Sequence, residues 1–165
     1  CSSDLSWRDS YSSWPENVWI GTSIVNQDEA MPRLMALSEL PLAANTFVSM
    51  EPLLGPAILG EMMTYTDWVI VGGESGPKAR PMNPAWVRAL RDESIAAGVP
   101  FHFKQWGENY PIESEEVVAE AISGDPIVVK SLKFEKRGKL NSGNILDGKR
   151  HLDFPEAFHK PLVTV

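Results

Sequence analysis

Cysteine is nearly absent from this sequence, and that absence excludes two classes of site. Cys1 is the single cysteine among 165 residues, so the chain alone can form neither an internal disulfide framework nor a cysteine-cluster metal site. Histidines are also few. His151 and His159 lack the spacing of metal ligands, and His102 lies between two phenylalanines in a predicted strand, where a packed or hydrogen-bonded histidine is the commoner case. We therefore predict no metal ligands in this chain.

Long apolar runs and a net positive charge are missing as well. No stretch approaches the ~18 apolar residues of a membrane-spanning helix, and the first residues lack the basic and apolar parts of a secretion signal. The formal net charge is -7 and the pI is about 5.0. This charge argues against a surface that coats nucleic acid, although a local basic groove stays open. We expect a cytoplasmic protein.

The chain divides into three predicted parts. Residues 1–17 are polar and rich in serine and do not begin with methionine, so we expect a linker or the tail of a preceding helix in a longer protein. Residues 18–110 carry the predicted fold, and residues 111–165 form a predicted C-terminal extension packed on it. Within the extension we predict a surface helix over 112–122, a strand over 127–134, a basic loop over 136–150, and an apolar anchor at Phe154, Phe158 and Leu162.

Four short apolar runs set the fold class. They occupy residues 18–24, 46–50, 68–71 and 99–103 and start about 22 to 31 residues apart, which is typical of repeated βα units. A capping-box pattern at Asn26 and Glu29 predicts a helix with a break or late start at Pro32. A short helix or turn is predicted over 57–66, and a helix capped by Asn83 and Gly98 follows. The sequence predicts an α/β fold, a partial (βα) TIM-like barrel with about four mostly parallel strands, flanking helices and an irregular C-terminal tail.

Polar residues follow each predicted strand, and parallel strands would bring them to one edge. They are Thr22 and Ser23, Glu51, Glu74 and Ser75, and Lys104 and Gln105. A proline after Glu51 ends the second strand, so the Glu51 carboxylate is fixed at a strand terminus. We predict that Glu51, Glu74 and Lys104 are catalytic. We predict that Thr22, Ser23, Gly72, Gly73, Ser75 and Gln105 bind a cofactor.

Other interpretations of the same stretch are weaker. The order G-G-E-S-G is neither a dinucleotide fingerprint nor a Walker loop, and its carboxylate would repel phosphate. Ser75 also lacks the G-x-S-x-G frame of a nucleophile elbow. Lys78 and Arg80 could contact an anionic ligand, although solvated loop charges are commoner. The tryptophans at positions 19, 68, 86 and 106 are predicted to lie in the core.

Several segments together resemble one family, the phage gene product 37/68-like proteins of phages and bacteria, which looks like a distant branch of the radical S-adenosylmethionine enzymes. The segments are residues 17–27 (NVWIGTSIVNQ), 47–56 (FVSMEPLLGP), 67–82 (DWVIVGGESGPKARPM), 98–108 (GVPFHFKQWGE) and 144–155 (NILDGKRHLDFP). The resemblance covers most of residues 17–155. It implies a (βα) barrel whose N-terminal part holds an iron–sulfur cluster through a three-cysteine motif.

That motif is absent here, so the chain resembles only the C-terminal half of such a protein. The resemblance implies S-adenosylmethionine and an iron–sulfur cluster as cofactors of the full-length protein, and a missing N-terminal half as a partner. Because an isolated half-barrel exposes two sheet edges and an apolar face, we also expect self-association. The resemblance would place Thr22, Ser23, Glu51, Glu74, Ser75 and Lys104 on the barrel rim. Two alternatives remain: a glycosidase-like hydrolase using Glu51 and Glu74 as a carboxylate pair, and a non-catalytic binding module.

Overall fold

A four-stranded parallel sheet forms the centre of the molecule. The computed structural model describes residue 15 and residues 17–41, 44–120 and 126–156, with the backbone alone for 116–120 and 126–129. The sheet strands are β1 (Trp19–Ser23), β2 (Asn45–Met50), β3 (Val69–Gly72) and β4 (Phe101–Gln105), in the order β1-β2-β3-β4 with every pairing parallel. All four carboxyl ends therefore lie at one edge.

Helices cover one face of this sheet. Helix α1 (Gln27–Ser38) follows β1, a 3-10 helix (Gly60–Tyr65) follows β2, and α2 (Pro84–Ala97) follows β3. Their buried side chains form one core with alternate strand residues, listed here: Ala30, Leu34, Leu37, Met63, Val87 and Leu90 against Val48, Met50, Val69, Val71, Phe101 and Phe103. The predicted α/β fold is confirmed as a partial βα-barrel-like arrangement, and the described strands do not close into a barrel.

The predicted helix caps are confirmed. Asn26 accepts a hydrogen bond from the Glu29 N–H at 3.3 Å, and Asn83 accepts one from the Ala85 N–H at 2.9 Å. Gly98 ends α2 in the left-handed conformation at φ 70°, which glycine adopts without steric cost.

The predicted break at Pro32 is wrong, because α1 runs through this proline without interruption. Pro32 is exposed, and the buried residues Ala30, Leu34 and Leu37 anchor the helix to the core on both sides of it. Their burial outweighs the roughly 3 kcal/mol that a proline costs inside a helix.

The opposite face of the sheet, here called the open face, has no helix among the described residues. Alternation along the strands places Phe47, Ser49 and Glu51 on this face, together with His102 and Lys104. Its amino-terminal half is covered by aromatic rings, while its carboxyl-terminal half is polar. The polar half therefore lies where βα folds place their ligands.

The C-terminal extension differs most from its prediction. Residues 112–122 were expected to be helical, but β5 (Asn109–Glu120) pairs antiparallel with β6 (Pro126–Lys136) in a two-stranded ribbon. Cross-strand contacts explain the difference: Ser114 bonds Ser131 at 2.7 Å, and Glu115 pairs with Lys130 at 2.7 Å. These nonlocal pairs stabilise a strand in a segment whose glutamates favour a helix locally.

Short elements replace the loop expected over 136–150. They are α3 (Lys139–Ser142), β7 (Ile145–Leu146) and β8 (Lys149–Arg150), the last two forming a small hairpin. Beyond them the chain runs along the outer edge of β4, where the Phe103 N–H donates to the His151 carbonyl at 2.7 Å. Phe154 then packs on Trp68, as an anchor should. Phe158 and Leu162 lie outside the described residues.

In the part of the chain that the structure describes, every helix is too short or too polar to cross a membrane.

Candidate functional site

Glu51 lies at the centre of the polar half of the open face and is held by two side chains from β4. Lys104 Nζ donates to Glu51 Oε2 at 2.8 Å, and Gln105 Nε2 donates to Glu51 Oε1 at 2.8 Å. The side chain of Glu51 is 20% exposed and that of Lys104 is 48% exposed, so solvent reaches both charged groups. The structure thus brings together three predicted site residues from two strands.

Gly72 makes room for this arrangement. The register between β3 and β4 shifts after Val71, so that Gly72 pairs with Gln105. A Cβ atom at Gly72 would lie 2.9 Å from the Glu51 Cδ and 3.1 Å from Gln105 Nε2. Such distances are too short for ordinary packing, so a side chain at this position would displace the Glu51 carboxylate.

Gln105 is buried under the site, at 5% exposure. Its Nε2 also donates to the Gly73 carbonyl at 3.3 Å, while its Oε1 is buried and has no hydrogen-bond partner among the described residues. Exchanging the amide O and N would set an oxygen against two acceptors, so the orientation follows from the hydrogen bonds. The site therefore contains one buried acceptor with unused capacity.

Gly73 is required by close backbone packing. Its N–H donates to the Gln105 carbonyl at 2.9 Å, and a Cβ at Gly73 would overlap the Trp106 carbonyl. Gly107, at φ 84°, faces the Glu74 carbonyl in the same way. These contacts fix the loop after β3 against the loop after β4 and hold the edge of the site in place.

The Glu74 side chain contacts Arg80 of its own loop, whereas the prediction grouped it with Glu51 and Lys104. It forms an ion pair with Arg80, whose Nη2 lies 2.7 Å from Glu74 Oε1, and it accepts the Arg80 N–H at 2.7 Å. Hydrogen bonds from the Arg80 side chain and backbone lower the pKa of Glu74 to about 2. Glu74 therefore stays ionised and closes its own loop, and Ser75 beside it is exposed.

On β1 only one of the two predicted residues lies on the open face. Thr22 pairs in register with Val48, which is fully buried under the helices, whereas Ser23 pairs with Ser49. Because paired residues of parallel strands project to the same side, Thr22 belongs to the helix-covered face. Thr22 therefore does not share the open face with Ser23, and its cofactor contact stays a prediction.

Ser49 also lies on the open face near Glu51, although it is not among the predicted site residues. It lies two residues before Glu51 on the open face and pairs with Ser23, so two hydroxyl-bearing residues are neighbours on this face. The signal was present in the alternation of β2, in which Thr46, Val48 and Met50 are buried and Phe47 and Ser49 are not. Alternation alone thus placed Ser49 on the same face as Glu51.

A cluster of charges outside the site joins α2 to the ribbon. Arg88 donates to Glu113 at 2.8 Å and to Asp147 at 2.7 Å, and Arg91 also pairs with Asp147 at 2.6 Å. Hydrogen bonds from Arg88 lower the pKa of Asp147 to about 2. These contacts orient the ribbon and involve none of the predicted site residues.

His102 is a packed side chain, as predicted. Its ring lies 5.8 Å from that of Trp68 and 4.9 Å from that of Phe154, both edge-on. Trp68 and Trp106 are buried, which confirms their core placement, while Trp19 and Trp86 are half-buried. The aromatic rings thus close the half of the open face that lies away from Glu51.

The stability of the chain is expected to decline as the pH falls below about 6.5. Burial lowers the pKa of His102 and of His151 from 6.5. At a pH between the folded and unfolded pKa values, the unfolded chain therefore binds more protons than the folded chain. The contribution of the two neutral histidines to stability is fully present above the unfolded pKa and is lost as the pH falls through the folded pKa. Urea denaturation from pH 8 to pH 5 measures this slope.

The double variant His102→Phe, His151→Phe is the control for that slope. It should remove most of the pH dependence in this window, because Glu74 and Asp147, with pKa values of about 2, titrate in a more acidic range. An unchanged slope in the double variant would contradict the assignment to these two histidines.

The donor set does not fit an iron–sulfur cluster. Within residues 17–41, 44–120 and 126–156, no three His, Cys, Asp or Glu side chains are grouped so that they could hold a metal. The single cysteine, Cys1, lies outside the described residues. Amine, hydroxyl and carboxylate groups of an organic ligand suit Glu51, Lys104 and Ser23 better.

Comparison with known proteins shows the family of the chain. Neither a search of curated proteins nor a search of solved structures returns a match. The sequence model of one family, described as "Protein of unknown function (DUF5131)", matches residues 3–155. Because that match covers almost the whole chain, the protein belongs to the DUF5131 family.

Proposed function

We propose that this chain forms the ligand-binding half of a cytoplasmic, radical-SAM-like enzyme, in which it contacts S-adenosylmethionine and a polar substrate. The main support for a ligand site is the Glu51 carboxylate, which Lys104 and Gln105 hold by hydrogen bonds of 2.8 Å each. It lies on an open face, at the carboxyl ends of parallel strands, where barrel enzymes place their chemistry. The radical assignment itself rests on the resemblance of residues 17–155.

Each side chain in the proposed site has a distinct role. Glu51 accepts hydrogen bonds from ligand amine or hydroxyl groups, and Lys104 binds an anionic group or a developing negative charge. Ser23 and Ser49 supply hydroxyls to the same face. Gly72 leaves the space that the Glu51 and Gln105 side chains occupy, and Gly73 lets the loops after β3 and β4 pack against each other. Glu74 and Ser75 shape the adjoining loop.

The two cofactors differ in how well they suit this chain. S-adenosylmethionine would supply an amine, a carboxylate and ribose hydroxyls, which match the donors and acceptors around Glu51. No group of side chains among the described residues could hold the iron–sulfur cluster. We therefore place the iron–sulfur cluster on a further chain segment or a partner, such as the missing N-terminal half.

A carboxylate-pair hydrolase is less compatible with the geometry. A glycosidase needs one protonated carboxyl as general acid beside one carboxylate. Glu74 has a pKa of about 2 and is ionised at neutral pH, and both oxygens of Glu51 accept hydrogen bonds. Neither residue is placed as a proton donor, so ligand binding is the better assignment for Glu51.

Anaerobic reconstitution of the full-length protein tests the proposal. We expect a cluster absorbance spectrum and release of 5′-deoxyadenosine from S-adenosylmethionine, with both Glu51→Gln and Lys104→Met slowing release by about tenfold or more. Lys133→Met, which changes an exposed lysine on the ribbon, is the matched control and should have no effect.

Absence of both the spectrum and 5′-deoxyadenosine would remove the radical assignment. Binding of S-adenosylmethionine without any turnover would instead favour the non-catalytic binding module.

A further inference from the structure

We infer that the ligand recognised at Glu51 and Lys104 carries an α-amino acid head, a cationic amine beside a carboxylate. This inference deepens the function proposed above and rests on it. The two charged side chains select this head together, whether it belongs to a free amino acid or to a larger molecule.

The Glu51–Lys104 pair presents two opposite charges to the ligand. Lys104 Nζ and Glu51 Oε2 lie 2.8 Å apart, so a positive and a negative group stand side by side on the open face. A ligand with a single charge would be attracted by one of these groups and repelled by the other. A zwitterion satisfies both, because its ammonium meets Glu51 while its carboxylate meets Lys104.

Spacing narrows the class further. In an α-amino acid the nitrogen and the nearer carboxylate oxygen are held at about hydrogen-bond distance by the single carbon between the two groups. They match the 2.8 Å separation of the protein charges, so four alternating charges can close a compact ring. An amino acid whose two charges are separated by a longer chain cannot place both against the pair without folding back on itself, which costs conformational entropy.

The pair also has the hydrogen-bonding capacity that this ligand needs. A lysine ammonium has three donors, and within the described part of the chain only Glu51 takes one from the Lys104 side chain. Each Glu51 oxygen accepts a single bond from Lys104 or Gln105 and can accept another.

Gln105 fixes the position of the Glu51 carboxylate in this pair. Gln105 is 5% exposed, and its buried Oε1 has no partner in the described residues, while its Nε2 holds Glu51. Gln105 thus holds the Glu51 carboxylate from the protein interior, and the ligand ammonium meets that carboxylate from the solvent side.

Nuclear magnetic resonance titration of the labelled 165-residue chain tests the inference. The probes are alanine, ethylamine, propionate and 5-aminovalerate, with ribose as a neutral polyol. Alanine should shift the Gln105 side-chain amide and saturate, and it should bind about tenfold more tightly than either singly charged probe or 5-aminovalerate. Glu51→Gln and Lys104→Met should each weaken alanine binding by about tenfold, whereas Lys133→Met should leave it unchanged.

The outcomes separate this inference from the proposed function. Equal binding of alanine and ethylamine, or alanine binding that survives both Glu51→Gln and Lys104→Met in folded protein, would overturn the α-amino acid head. Ribose shifting Gln105 while alanine does not would overturn it too, yet leave a ligand site at Glu51. If S-adenosylmethionine, alanine and ribose all leave Gln105 unmoved, the site and the inference fall together. Tighter binding of S-adenosylmethionine than of alanine would identify the head of a larger molecule, and the reverse a free amino acid.

Discussion

Gly73→Ala is expected to destabilise the chain by about 3 kcal/mol or more. The new Cβ would overlap the carbonyl oxygen of Trp106, which belongs to the backbone and cannot rotate away as a side chain could. Relief would require the loops after β3 and β4 to separate. Chemical denaturation, followed by far-UV circular dichroism, measures the loss.

Gly98→Ala is the matched control for this prediction. Gly98 has a φ of 70° with nothing near its Cβ position, whereas Gly73 is not among the positive-φ residues. The control should therefore lose about 1–2 kcal/mol through backbone strain alone. A loss at Gly73 no larger than that at Gly98 would show that the two loops are not locked together.

Gly72→Ala is expected to weaken ligand binding by about tenfold while leaving the fold intact. Its Cβ would meet the Glu51 Cδ at 2.9 Å and Gln105 Nε2 at 3.1 Å, both of which are side-chain atoms that can move. The cost in stability should be about 1 kcal/mol. However, the Glu51 carboxylate can move only by lengthening its hydrogen bonds to Lys104 and Gln105, so its position for the ligand would change.

Two measurements on the same sample separate these effects. Titration with alanine gives the affinity, and urea denaturation gives the stability. Gly60→Ala, at φ 59° on the 3-10 helix with open space around it, should reduce stability without changing affinity. Unchanged affinity in Gly72→Ala would mean that the position of the Glu51 carboxylate does not matter for the ligand. Adjacent glycines thus have opposite expected outcomes, because one faces backbone and the other faces side chains.

Much of the framework could be predicted from local signals. The apolar run before Gly72 and the capping residues Asn26, Asn83 and Gly98 predicted strands and helices that the structure contains. The proline after Glu51 also predicted that this carboxylate would sit at a strand end. Such signals work because they depend on a residue and its near neighbours in the chain.

Where a partner is distant in sequence, the local signals were insufficient. The glutamates of 112–122 favour a helix until the second strand of the ribbon supplies Ser131 and Lys130 as cross-strand partners. Thr22 and Ser23 are equally polar, and only the register of β1 against β2 assigns them to different faces. Arg80 is only six residues from Glu74, yet the ion pair between them depends on the geometry of the loop. Local sequence therefore did not predict that Glu74 would contact Arg80.

By itself the sequence determined a parallel α/β chain with polar residues after each strand, because hydrophobic periodicity and proline and glycine positions act locally. The tertiary structure alone decided which of those residues meet. Glu51, Lys104 and Gln105 come together because β2, β3 and β4 align in parallel and a register shift at Gly72 opens a gap between them. Side chains more than 50 residues apart in the chain become hydrogen-bonded only after the sheet has formed, and no local pattern encodes that distance.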